Sequence, residues 1–122
     1  MQTIESGGLE FVIENRIFGK DGGPALRVFG NVDGESVQVL RFDCFRDDPH
    51  YHYAPTGKNE MHHLEKGADN MGWSIEQVKT RIDEMIRMAG YDALADSIDV
   101  AAIQAKADDL EHALRTEPVV TE

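Results

Sequence analysis

His50, His52, His62 and His63 fall within one short stretch, Asp47-Asp-Pro-His-Tyr-His-Tyr-Ala-Pro-Thr-Gly-Lys-Asn-Glu-Met-His-His-Leu-Glu65. In extended chain His50 and His52 point to one side and Tyr51 and Tyr53 to the other. Their Cα atoms are then about 6.8 Å apart, close enough for two imidazoles to converge on one ion. Pro49 and Pro55 bracket the first pair, and Thr56-Gly57-Lys58-Asn59 is turn-like. If Glu60 to Leu64 folds back as a partner strand, either His62 with Glu60 or His63 with Met61 joins that side. A third histidine with a carboxylate from Glu60, Asp48 or Asp43 would suit Zn, Ni, Fe or Mn. Such a centre with an open position can lower the pKa of a bound water toward about 7, enough for hydrolysis.

The same stretch supports two other readings. Neutral histidine carries protons near pH 7, and Arg41, Arg46 or Lys58 could hold an anion, with Asp43, Tyr51 and Tyr53 in support. That combination serves metal-free phosphodiester cleavage. Alternatively, histidine and tyrosine are half-buried packing residues with a polar tip, or form a surface for a protein partner. Cys44 reads as a buried, inert thiol, since the neighbouring Asp43 disfavours a thiolate.

Composition narrows the field. Twelve Lys and Arg stand against 23 Asp and Glu, for a net charge of −11. Residues 1–66 hold seven basic and eleven acidic groups, and residues 67–122 hold five and twelve. Neither part offers the clustered cations that phosphate-backbone binding needs, so broad nucleic-acid binding is not expected. The single cysteine fits a reducing compartment. No apolar run approaches a membrane span and no signal pattern opens the chain. The expectation is one cytoplasmic domain over residues 1–122.

The elements that must carry the histidines come in two blocks. Leu9, Phe11 and Ile13 alternate with Glu10, Val12 and Glu14, a half-buried strand. Residues 1–6 read as frayed, and Gly19 to Pro24 as a loop by composition. Ala25 to Val32 is a second strand, and Asp33-Gly34 is a hairpin turn into a third, about Ser36 to Phe45. In it Leu40, Phe42 and Cys44 would share one face, and Val37, Val39, Arg41, Asp43 and Phe45 the other.

Helices follow. Ser74 and Gln77 form a capping-box pattern, with Trp73 and Val78 placed as a hydrophobic staple. Ile75, Val78, Ile82, Met85, Ile86 and Ala89 form one apolar stripe, ended by Gly90. Tyr91 to Ser97 is a short helix. Asp99 caps a last one, whose seam of Val100, Ile103, Ala107, Leu110 and Leu114 suits packing on another helix, within the chain or across a dimer. Residues 116–122 read as a flexible tail.

From Arg41-Phe42-Asp43-Cys44-Phe45 through Asp48-Pro49-His50-Tyr51-His52-Tyr53-Ala54-Pro55 and Glu60-Met61-His62-His63, the chain resembles a small bacterial family of unknown function. That resemblance implies a strand meander followed by a helix, and no activity. The Asp, first histidine pair, second histidine pair and Ser-preceded helix are also similar to TumE-type toxins over about a third of the chain. That likeness implies a histidine-dependent nuclease. The sequence departs from it in the His-Tyr-His spacing, the last helix and the acidic charge.

The expected fold is α+β: a three- or four-stranded antiparallel meander over 9–65, covered by two or three helices over 74–115. The helix seam and the two-faced third strand point to a homodimer.

Overall fold

The computed structural model describes residues 1–119. Six strands form one antiparallel sheet in chain order: β1 (Gln2–Ser6), β2 (Leu9–Phe18), β3 (Asp21–Val32), β4 (Glu35–Asp43), β5 (His50–Tyr53) and β6 (Glu60–His63). Three helices follow: α1 (Asn70–Met88), α2 (Asp92–Ser97) and α3 (Val100–Thr116). The α+β class holds, but the strand count is six rather than three or four.

The extra strands have separate causes. β1 pairs with β2 through a tight turn at Gly7-Gly8, both with positive φ. Its sequence, Gln-Thr-Ile-Glu-Ser, carries too little apolar alternation to announce a strand. β6 pairs back on β5, placing His63 opposite His50 and Met61 opposite His52. The glycine-rich segment expected to be a loop is also corrected: Gly22, Gly23 and Pro24 pair with β2 as the start of β3. A Cβ on Gly23 would lie 2.4 Å from the Cys44 carbonyl oxygen, so glycine is there for a close backbone approach rather than a turn.

The helices cover one face of the sheet. Phe11, Ile13, Leu26, Val28, Leu40 and Phe42 meet Val78, Ile82, Ile86, Ile103 and Leu110 in a single buried core. Tyr51 and Trp73 close its rim against Phe42. The apolar stripe of α1 is buried as its spacing predicts, and the seam of α3 packs against α1 within the chain. A register shift beside Val28-Phe29 leaves Val39 as the extra residue of a bulge in β4. Val39 joins the core, and Gln38 moves to the open face with Arg27. The simple alternation expected for β4 therefore breaks at that point.

α1 begins five residues earlier than the Ser74 capping box suggests. Asp69 is the N-cap, its side chain accepting from the Gly72 N–H, and Arg115 of α3 donates to the same carboxylate at 2.7 Å. Ser74 is buried and donates to the Asn70 carbonyl instead. Asp99 caps α3 as predicted. In the segment expected to be a tail, Thr116 closes α3 and Glu117 is buried against the N-terminal ammonium. Residues 120–122 lie outside the described residues. No helix among the described residues is long and apolar enough to cross a membrane.

Candidate metal centre

The face of the sheet away from the helices carries the chemistry. Paired strand positions share a face, so cross-strand register assembles rows across it. One row runs Val12, Arg27, Arg41, His52, Met61; the next runs Glu14, Ala25, Asp43, His50, His63. Long polar side chains replace a second layer of helices: Val12, Ala25, Asp43, His50 and His52 are all buried beneath them.

Asp43, His50 and His52 converge. Asp43 Oδ2 is 3.0 Å from His50 Nε2 and 3.4 Å from His52 Nε2, and the three atoms all lie within 4.8 Å of one another. Donor atoms held about 2.1 Å from a first-row divalent ion stand roughly 3.0–3.4 Å apart when they are neighbours around it. Both short separations fall in that interval.

Each imidazole is fixed from behind. His50 Nδ1 is 2.7 Å from the Asp48 carbonyl oxygen, and His52 Nδ1 is 2.7 Å from Asn59 Oδ1. A carbonyl only accepts, so His50 Nδ1 carries the proton and donates; Asn59 Oδ1 assigns His52 in the same way. The Nε2 lone pairs then point at Asp43. This arrangement, in which the outer nitrogen is committed and the inner one presented, is how protein metal sites orient histidine.

Asp43 is an anion. Burial would push its carboxyl up, but the charges of Arg41 and Arg16, with the Arg41 hydrogen bond, outweigh burial and hold it at about 2. Arg16 Nη1 donates to Oδ1 and Arg41 Nε to Oδ2, both at 3.0 Å. His50 Nε2 therefore faces an acceptor-only oxygen while its own proton is spent on Asp48. Either a second proton or a shared cation resolves that contact. Arg41 Nη2 also donates to His52 Nε2 at 3.1 Å. A ring that accepts there from Arg41 cannot donate there to Asp43, and since Nε2 has one lone pair, a metal between His52 and Asp43 would displace Arg41 Nη2 from it.

The remaining sequence candidates separate from this cluster. His63 lies on the same face, one strand out, with Nδ1 2.8 Å from Asp48 Oδ1; both side chains are exposed. Asp48 contributes its backbone carbonyl to His50, and its carboxylate turns to His63. His62 and Glu60 point to the helix side, where their side chains pair at 3.0 Å and His62 stacks on Tyr51. Tyr51 and Tyr53 are packing residues there: burial first, then Tyr51, pushes the Tyr53 hydroxyl up to about 12. Arg46 is exposed at the β4–β5 loop, donating to the Lys20 carbonyl.

Asn59 and Arg16 escaped the sequence reading. Asn59 has positive φ, which an Asn in a turn signals, but its contact with His52 depends on how the turn closes. Arg16 is 27 positions from Asp43 and reaches it only through strand pairing. Asp21 is a third: its carboxylate accepts from the Gly22, Asp47 and Asp48 N–H groups, so it shapes the loop that presents the Asp48 carbonyl.

Residues 3–114 match the family described as a domain of unknown function, DUF7700. The chain belongs to that family. No curated protein and no solved structure matches it. The DUF7700 match spans all six strands and both long helices except for their outermost residues, so the His–Asp cluster lies inside the family's domain.

Proposed function

We propose that this protein binds a divalent transition metal through Asp43, His50 and His52 and uses it on an anionic ligand. The convergence of three donor atoms, with both Nδ1 atoms held by outside acceptors, carries the reading. Two imidazoles and one carboxylate from two adjacent strands occupy one side of an ion. All three lie beneath the long polar side chains of that face, so water or a ligand reaches the remaining positions only where those side chains move aside. Zn, Fe, Mn and Ni all accept this donor set. Arg16 and Arg41 place two guanidinium groups at the same carboxylate, so the loaded centre carries surplus positive charge. That surplus favours an anion as the ligand.

The Arg41–His52 contact favours a second reading, in which the cluster is metal-free and a doubly protonated His50 shares its proton with Asp43. It would then be either a proton-transfer site or a structural network covering the sheet.

Elemental analysis of untagged protein purified without chelator separates the readings. About one metal per chain, lost in His50→Ala/His52→Ala, is the expected result. Metal-free protein that takes up no added Zn, Fe, Mn or Ni at micromolar concentration overturns the metal reading and leaves the proton-sharing one.

A further inference from the structure

β6 is an outer strand of the sheet with no neighbour on its far side among the described residues. All four of its residues, Glu60, Met61, His62 and His63, are exposed. Exposed edges are commonly blunted by short length, charge, proline, lysine or a bulge, since their free N–H and C=O groups recruit another strand. β6 is short and carries Glu60 but has no proline, lysine or bulge, and Met61 is one of few large apolar side chains left in solvent.

The hydrogen-bond phase says which groups are free. The Leu64 N–H donates to the Pro49 carbonyl, so residues 60, 62 and 64 turn their backbone groups toward β5. Met61 and His63 therefore turn theirs outward. A two-fold axis through Met61 would set Met61 against the partner's Met61 as a hydrogen-bonded pair. The same axis sets Glu60 against the partner's His62, a closely spaced pair with carboxylate facing imidazole. Facing is preserved: the side chains of Glu60 and His62 both lie on the helix side, and Met61 lies on the open side.

We propose that β6 is the contact edge of a symmetric dimer of this chain, centred on Met61. Backbone phase and side-chain facing also allow an axis through His62, which would set His62 against its copy; the Glu60–His62 complementarity selects the axis through Met61. In that dimer the row Arg41, His52, Met61 continues into the partner's Met61 and His52 across one continuous sheet. The two His52 Cα atoms would stand three strand spacings apart, about 14 Å. The two histidine clusters would thus flank one shared surface. The proposal stands on the edge alone and is independent of whether the clusters hold metal.

The test is sedimentation velocity on the full chain over a concentration series, with EDTA present so that exposed histidines cannot bridge through metal. Three paired residues, Glu60 to His62, make a small interface, so association is expected only as the concentration approaches about 500 µM rather than in the nanomolar range. Met61→Pro removes an outward N–H that bonds nothing within the chain. It should weaken association at least tenfold while far-UV circular dichroism stays unchanged. Glu60→Lys should weaken it as well, and adding His62→Glu should restore it. A wild-type chain that stays monomeric to about 500 µM overturns the proposal. So does association that survives both Met61→Pro and Glu60→Lys. If Met61→Pro fails to fold, the Glu60→Lys and Glu60→Lys/His62→Glu pair decides, because both side chains are exposed.

Discussion

His50 Nε2 stands 3.0 Å from Asp43 Oδ2 while the opposite nitrogen of the same ring is held by the Asp48 carbonyl at 2.7 Å. The ring therefore sits between two acceptors. Because the carbonyl cannot give up its role, the Asp43 side of the ring must be completed by something positive. The centre built on that contact also depends on residues that would never touch an ion.

Asn59 holds His52 from outside the cluster. Asn59→Gly keeps the positive φ of the turn and deletes the acceptor for Nδ1. Metal affinity, measured by competition with a chromophoric chelator, should fall roughly 10–100-fold with secondary structure intact. An affinity within twofold of wild type would show that this amide does not orient the ring.

Asp43 is 1 % exposed and receives both Arg16 and Arg41. Asp43→Ala leaves two guanidinium groups and two imidazoles facing a cavity. Urea unfolding with EDTA present should show a loss of about 3 kcal/mol, the cost of breaking a buried pair from one side. A loss below about 0.5 kcal/mol would place the arginines in solvent and remove the network as a source of stability.

Asp69 couples acid stability to the α1–α3 contact. The hydrogen bond from Arg115, then the one from the Gly72 N–H, holds its carboxyl below the ordinary 3.8. A lowered carboxyl pKa contributes stability above the unfolded value, and that contribution is lost as pH falls through the folded one. Asp69→Asn keeps an N-cap but no charge. Its melting temperature should lie below wild type at pH 6, with the gap closing as pH drops below 3.8. A gap that is constant with pH would mean that the charge is irrelevant and only the cap matters.

Cys44 should be silent in the native protein. Burial first, with Asp43 beside it, outweighs the hydrogen bond with Ser74 and pushes the thiol up to about 11. At pH 8 the native chain should react with a disulfide reagent at least a hundredfold more slowly than the urea-unfolded chain. Equal rates would place Cys44 in an open pocket.

Local pattern carried a good deal of this protein. Asp33 and Gly34 both adopt positive φ, as a two-residue hairpin requires. His50 and His52 share one face and Tyr51 and Tyr53 the other, because alternation in a strand is a property of the backbone alone. The α1 stripe, Gly90 and the Asp99 cap were legible for the same reason: each depends on residues within one or two turns.

Local patterning was therefore enough for the class, strands then helices, and for a histidine pair that shares one strand face. Tertiary structure alone decided which residues complete it. Asp43 rather than Asp48 or Glu60 is the carboxylate beside the histidine pair, because β4–β5 register puts it opposite His50. His63 rather than His62 shares the face, because the β5–β6 turn sets the pairing one way and a one-residue slip would have exchanged them. Arg16 reaches Asp43 across β3, which lies between their two strands. Register is fixed by turns, bulges and the packing of a whole sheet against its helices, so it is not a property of any short stretch of chain.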